Sequence, residues 1–482
     1  LRNVVAKIAI FSFGDVAVFE TNFSLYNNGH ALYKETWDHK DFGYYFFGRY
    51  IYNFFGLAGL QFFTLTQLIV ILILFCFSAR KFSSVKLALV VVLFFSSVVV
   101  GSGLYMSPAP DLWAVNFLLL GLLLHRFSPG FSGVLLAVAV SMKISTFVSV
   151  GFIFGSYAYL LYLRKTYCLK DLIRSMLFFL ATLLTIILVA YFEGSFDGWL
   201  EITRFNLFYS NISRGFQFDL INPIHQVTAL IRVIFGWFRY AGFYLPVMTA
   251  LIFVMTVVML IKRKSIDELK LAIASDLILS LMALTFGSML ILMTQAPPSD
   301  THYILIFMPI ALIGSVQFII LTSNLKSFVT VKSLLLMAMI AIALIDDDVV
   351  FPKGSLNSYE GKGSIEKELE LLPAGSTFAV FDANHKGLLK TSRFGAKLIC
   401  RHHYILDHVY EFYMDEINQC IYKEPDYIFL NEIQLKSSMR RSFKRINLLL
   451  LDIKSKYNFC YENDFGLSVY SFKVGNCKYL EN

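Results

Sequence analysis

Residues Gly59 to Ala79 read GLQFFTLTQLIVILILFCFSA, a run with no formal charge. A helix of that length rises about 30 Å, the thickness of a bilayer's hydrocarbon core. Runs of the same character recur at 86–104, 112–125, 130–145, 146–163, 175–192, 241–261, 276–294, 302–322 and 331–347. A partial run, Val4 to Phe13, is too short to cross, so the first helix is expected to start before Leu1. No small-residue cleavage site follows it, which argues against a cleaved signal. Together these predict about eleven spans. Runs 112–125 and 130–145 are short for full crossings and are expected as half-helices or a re-entrant pair.

Composition agrees with the runs. Hydrophobic residues make up 57% of the 482 and charged residues only 16%. A soluble chain sits nearer 45–50% apolar and about 25% charged. With a mean hydropathy of +0.62, this balance excludes a soluble enzyme, a disordered protein and a nucleic-acid-binding module. The formal net charge of +8 is read as Lys and Arg holding cytoplasmic loops in place. Arg80, Lys81 and Lys86, then Arg126, then Arg164, Lys165, Lys170 and Arg174, then Lys262, Arg263, Lys264 and Lys270, then Lys326 and Lys332 mark one set of loops. The intervening loops 105–111 and 295–301 carry neither residue type. By the positive-inside rule the basic set is cytoplasmic, which places 15–58, 193–240 and everything after 348 outside.

The expected fold class is therefore mostly α: a polytopic transmembrane helical bundle over residues 1–348, with a small extracytoplasmic α/β domain over 349–482. Segment 193–240 is amphipathic, with Trp199, Phe205, Phe208 and Tyr209 among polar residues, and is expected to lie in the membrane interface. In the tail, Ser364 to Leu372 has helical spacing and Pro373 to Ser376 is a turn. Thr377 to Phe381 and Tyr427 to Leu430 read as strands, and Val409 to Tyr422 as a helix. Residues 433–456 form a basic helix, and 457–472 hold a final strand pair. Four of six cysteines (Cys400, Cys420, Cys460 and Cys477) fall in this tail. An even number in an oxidising compartment invites disulfides, and local pairing, Cys400 with Cys420 and Cys460 with Cys477, is expected. No C-x-x-C pair points to zinc.

The chemistry-bearing residues concentrate in the first outside segment. Gly14-Asp15 is followed by Glu20, then Asn28-Gly29-His30-Ala31-Leu32-Tyr33, Trp37-Asp38-His39-Lys40 and Tyr44-Tyr45-Phe46-Phe47. A carboxylate such as Asp15, where a helix leaves lipid, is partly desolvated; it reads as a general base or metal ligand, or as a polar helix end. This order resembles the first extracytoplasmic loop of GT-C membrane glycosyltransferases. The likeness is greatest to the bacterial branch of lipid A aminoarabinose transferases, related to protein O-mannosyltransferases. That branch typically reads G-D-E, then G-x-x-L-Y, then D-x-K-P-P. Here Val16 stands in place of the second acid, and Asp41-Phe42 in place of the Pro pair. Ser141-Met142-Lys143-Ile144 and Ser299-Asp300-Thr301-His302-Tyr303, running into Pro309, are similar to two further elements of these proteins.

The resemblance implies a GT-C-type bundle and an enzyme in the bacterial inner membrane. Its donor would be a polyprenyl-phosphate sugar, and its acceptor a hydroxyl of a glycan, lipid or protein on the outer face. Asp15 is the expected general base. Lys40, Lys143, Arg204, Arg214 and His302 are candidates for the donor phosphate, because a phosphate at the bilayer surface needs cations, and Tyr303 is a candidate beside His302. Glu20, Asp38, His39 and Tyr44 are candidates for acceptor or sugar. A divalent cation is the one cofactor this chemistry leaves open, and no nucleic-acid partner is expected. Each residue also has a plainer reading. Lys143 could snorkel at a helix end, Arg204 and Arg214 could be solvated, His302 could be a hydrogen-bonded interfacial residue, and Tyr44 and Tyr45 could be interface anchors. The run Asp346-Asp347-Asp348 reads as a boundary charge run. A transporter or flippase of lipid-linked sugars is the alternative of a different class, and an O-antigen polymerase or ligase is the alternative enzyme.

Overall fold

The computed structural model describes residues 14–79, 109–164, 168–212, 223–240, 276–294, 305–306, 308–310, 312–313, 371–381, 397–402, 405, 407–438, 442–462, 467–473 and 477. Over these the chain is mostly helical with one small sheet. In chain order the helices up to the tail are α1 (Gly14–Asn27), α2 (Phe42–Ala79), α3 (Pro110–Leu124), α4 (Pro129–Met142), α5 (Phe147–Arg164), α6 (Leu169–Phe192), α7 (Phe196–Ile212), α8 (Pro223–Tyr240) and α9 (Asp276–Thr294). The chain divides into two compact units. One holds Leu1–Phe11, Ala58–Leu188 and Arg214–Lys353; the other gathers Ser12–Leu57, Val189–Ser213 and Gly354–Asn482. The kink of α2 at Gly56 (φ 61°) falls beside the division, in a backbone region that only glycine enters without strain.

In the first unit, Ala58–Ser78, Ile144–Tyr162 and Leu169–Phe192 are long and apolar enough to cross a membrane. These are three of the expected eleven spans among the described residues. Runs 86–104, 241–261 and 331–347, most of 302–322, and Val4 to Phe13 lie outside them. The two short runs form short helices, as expected. α3 and α4, of 15 and 14 residues, each rise little more than 20 Å and are buried along almost their whole length. They pack closely because Gly121 faces the Leu136 side chain, and Ser132 Oγ donates to the Gly121 carbonyl at 2.7 Å. A Cβ at Gly133 would overlap the Ser175 carbonyl of α6, so that glycine sets how near α4 and α6 can approach.

In the second unit, the tail forms a mixed sheet from β1 (Thr377–Phe381), β2 (Lys397–Leu398), β3 (Tyr427–Leu430), β4 (Asn458–Glu462) and β5 (Ser468–Ser471). The strand order is β2-β1-β3-β5-β4; β1 runs parallel to β2 and β3, and β5 antiparallel to β3 and β4. Helix α10 (Asp407–Tyr422) lies in the crossover that a parallel β1–β3 pair requires. β3 is apolar and buried throughout and β1 from Phe378 onward, and both fall on the residues read from sequence. Thr377 and Asp426 bind each other's backbone N–H groups and fix the starts of β1 and β3 together. The disulfides are Cys400–Cys420 and Cys460–Cys477, the local pairing expected.

Three expectations are corrected. The basic helix at 433–456 is two helices, α11 (Glu432–Ser438) and α12 (Phe443–Lys456). Serine, present at 437, 438 and 442, is a weaker helix former than the Leu, Lys and Arg around it. Segment 15–58, expected as an outer loop, is largely helical, since α1 and the start of α2 leave only 28–41 as loop. On α7, Trp199 and Phe205, expected at the interface, are buried with Ile202 within the second unit; the side chains of Phe208 and Tyr209 lie outside the described residues.

Candidate functional site

Loop 28–41 is shaped by its own backbone. Gly29 turns it at φ 87°, and Tyr33 sits at φ 67°, uncommon for a bulky residue. Tyr33 is held there because it is fully buried, and its hydroxyl donates to the Lys40 carbonyl at 2.7 Å. Gly198 of α7 faces it, and any Cβ there would collide with the Cβ of Tyr33. One stripe of α7 covers the loop, with residues 198, 199, 202, 205 and 206 at helical spacing. Trp199 Nε1 donates to Asp41 Oδ1 at 2.9 Å, and Asn206 Nδ2 to the His39 carbonyl at 2.9 Å. Trp37 is buried against Phe205, His402 and Tyr413.

Between these supports, three consecutive side chains form a chain of polar contacts. Asp38 is buried and accepts from Tyr45 Oη and from the His39 backbone N–H, the latter at 2.6 Å. His39 Nδ1 lies 3.0 Å from Asp38 Oδ1, and His39 Nε2 lies 2.8 Å from Lys40 Nζ. The pattern fits an imidazole that donates from Nδ1 and accepts at Nε2 from the ammonium. Burial pushes the Asp38 carboxyl up. The hydrogen bond from His39, the Lys40 charge and the Tyr45 hydroxyl outweigh it and hold the group at about 2. His39 and Lys40 stay partly exposed, and Lys40 Nζ lies 5.8 Å from the centre of the Phe19 ring. An ammonium steadied by a buried carboxylate through an imidazole is suited to receiving an anion.

The tail closes the same unit through Arg401. Its Nε and Nη2 donate to the two carboxylate oxygens of Glu416, each at 2.6 Å. Nη2 also reaches Glu201 of α7 at 2.8 Å, and Nη1 donates to the Tyr33 carbonyl. Burial raises the Glu416 carboxyl, but His402 and Arg401 override it and bring the group to about 2. The buried His402 imidazole, 3.3 Å from Glu416, is lowered chiefly by its burial. In the same unit, Glu193 takes Arg49 Nη2 at 2.7 Å and the Tyr26 hydroxyl.

The remaining candidates fall elsewhere. The backbone of Asp15 lies at the start of described α1, four residues before Phe19 and on the same helix face, as i,i+4 positions are. The side chains of Asp15 and Glu20, and all of His302, Tyr303, Arg214 and Asp346 to Asp348, lie outside the described residues. Tyr44 is fully buried among Phe19, Phe23 and Tyr45, so it is neither a platform open to sugar nor an anchor in the interface. Arg204 is exposed on α7. Lys143, in the first unit, forms an ion pair with Asp111 of α3. Among the described residues, no group of three His, Cys, Asp or Glu side chains could hold a metal ion.

Sequence reading did not single out Arg401, Glu416, Glu201, His402 or Asp111. The visible signals were an Arg-His pair beside Cys400 and an acid directly after Pro110, where a span opens. No protein-family model matches the chain, no curated protein matches it, and no solved structure matches it.

Proposed function

We propose that the chain is an integral membrane glycosyltransferase that moves a sugar from a polyprenyl-phosphate donor to a hydroxyl acceptor on the extracytoplasmic face. The eleven-helix GT-C-type bundle and the outward placement of the tail are parts of this reading. The observation that carries it is Lys40: its ammonium is steadied by His39 and Asp38 and lies 5.8 Å from Phe19, one helical turn beyond Asp15. In this mechanism the Asp15 carboxylate takes the acceptor's hydroxyl proton as that oxygen attacks the anomeric carbon. The bond from that carbon to the phosphate oxygen breaks as the new glycosidic bond forms, inverting the centre. The phosphate leaves with the bonding electrons, and Lys40 meets its charge.

The test supplies radiolabelled polyprenyl-phosphate sugar to the full chain in nanodiscs, with envelope from a strain lacking the protein as acceptor source. Asp15→Asn is expected to lower transfer by at least about 100-fold. Lys40→Ala is expected to raise the donor KM. Full transfer by Asp15→Asn would overturn the assignment. A second reading, a transporter of lipid-linked sugars, is favoured by one observation: the part-buried pair Asp111–Lys143 in the unit that holds the candidate spans. Counterflow of lipid-linked sugar with no new glycosidic bond would select it.

A further inference from the structure

Helix α12 has two opposite faces. Ile446, Leu449, Leu450 and Ile453 are buried against the tail's core at i, i+3, i+4, i+7 spacing. Half a turn away, Lys444, Leu448, Leu451 and Ser455 form an exposed stripe at positions i, i+4, i+7 and i+11. Leu448 is 66% exposed and Leu451 63%. One exposed leucine is ordinary; two stacked on adjacent turns of the stripe opposite the core are not explained by the fold of the tail.

The setting of those leucines is basic. Residues 436–456 contain Lys436, Arg440, Arg441, Lys444, Arg445, Lys454 and Lys456 against the single acid Asp452. Lys444 and Arg445 are exposed at the head of the stripe. Lys454 and Lys456 follow it, held in place by Glu432 at 2.6 Å and Asp452 at 3.0 Å. Leucines on one stripe with cations around them suit a surface that is anionic outside and apolar just beneath. The chain's own candidate spans keep a bilayer within reach, so weak docking is amplified by tethering. A second copy of the same stripe would set cations against cations.

We propose that the outer stripe of α12, through Leu448 and Leu451 with Lys444 and Arg445, docks the tail on an anionic lipid surface. The test uses the full chain with Cys76→Ser, Cys168→Ser and Leu451→Cys, labelled there with an environment-sensitive fluorophore. The protein is placed in nanodiscs of phosphatidylcholine alone or mixed with phosphatidylglycerol, each doped with a doxyl-labelled lipid.

Doxyl quenching is expected to rise by about threefold or more in the anionic discs and to fall back in high salt. Lys444→Glu with Arg445→Glu is expected to cancel the difference between the discs, and Leu448→Asp to lower quenching in the anionic ones. All of these positions are exposed, so the variants are expected to keep the parent Tm. Equal quenching in both discs, or equal access of aqueous iodide in both, would overturn the proposal. So would energy transfer between labelled copies in place of lipid quenching, because that outcome assigns the stripe to self-association.

Discussion

Arg401 Nη2 and Glu201 Oε1 lie 2.8 Å apart although 200 positions separate them in the chain. The same guanidinium grips both oxygens of Glu416 and the carbonyl of Tyr33, in the loop that carries Asp38, His39 and Lys40. A planar fork of fixed donors meets these acceptors in a way that an ammonium does not. Arg401→Ala is expected to destabilise the protein by about 2 kcal/mol or more, and Arg401→Lys by an appreciable share of that. Thermal unfolding of Arg401→Ala, Glu201→Ala and the double variant checks this. A coupling near zero in that cycle would show that the pair is only a neighbourly contact.

Acid is expected to weaken the second unit in two stages. The buried His402 imidazole lies below 6.5, so under that pH the unfolded chain takes up a proton first and stability begins to fall. Asp38 and Glu416 sit at about 2 in the folded chain, against ordinary values of 3.8 and 4.5. A carboxyl lowered by folding stabilises in full above its ordinary value, and that stability is lost as pH falls through the folded value. The steepest loss is therefore expected between about pH 5 and pH 2. Denaturant midpoints measured across this range check it, and Asp38→Asn should flatten the lower stage.

The tail is expected to contain no free thiol. Denatured but unreduced protein should yield two reactive cysteines, Cys76 and Cys168, and reduced protein all six. The Cys400–Cys420 bond closes a loop of about 20 residues, which corresponds to about 3 kcal/mol in the chain-entropy model. Cys400 is also next to Arg401, so Cys400→Ser with Cys420→Ser should lower Tm and weaken the Arg401–Glu201 coupling together. A thiol count of four or six without reductant would refute the pairing.

What could be read in advance was local. Strands Thr377–Phe381 and Tyr427–Leu430 announce themselves as short apolar runs next to turn residues, and the disulfide partners are near in sequence. The shortness of α3 and α4 was a matter of counting residues. Periodicity on α7 showed a face but not its cover, so Trp199 and Phe205 pointed to lipid when protein covers them. α1 was hidden for a related reason: Val18, Phe19, Asn22, Phe23, Leu25 and Tyr26 are all buried and leave no clean polar stripe. In the site, adjacency revealed Asp38, His39 and Lys40, whereas Arg401 and Glu201 meet only through the fold.

Asp111 and Lys143 supply the last prediction, because Asp111 is buried and Lys143 largely so, with side-chain exposures of 6% and 13%. Lys143 is at the break after α4, where an extended backbone (φ −155°, ψ 101°) frees its side chain from the helix. Removing one partner leaves the other's charge less compensated, so Lys143→Met or Asp111→Asn alone is expected to cost about 3 kcal/mol. The double variant removes both charges and is expected to recover most of that loss in thermal unfolding. Under the proposed function, activity separates the roles from there. If the pair only staples α3 to the end of α4, the double variant should transfer or carry sugar as the parent does. If Lys143 leaves Asp111 to meet a donor phosphate, stability should return while donor affinity does not. Restored stability with unchanged donor KM would remove Lys143 from the substrate path and leave Lys40 as the phosphate's cation.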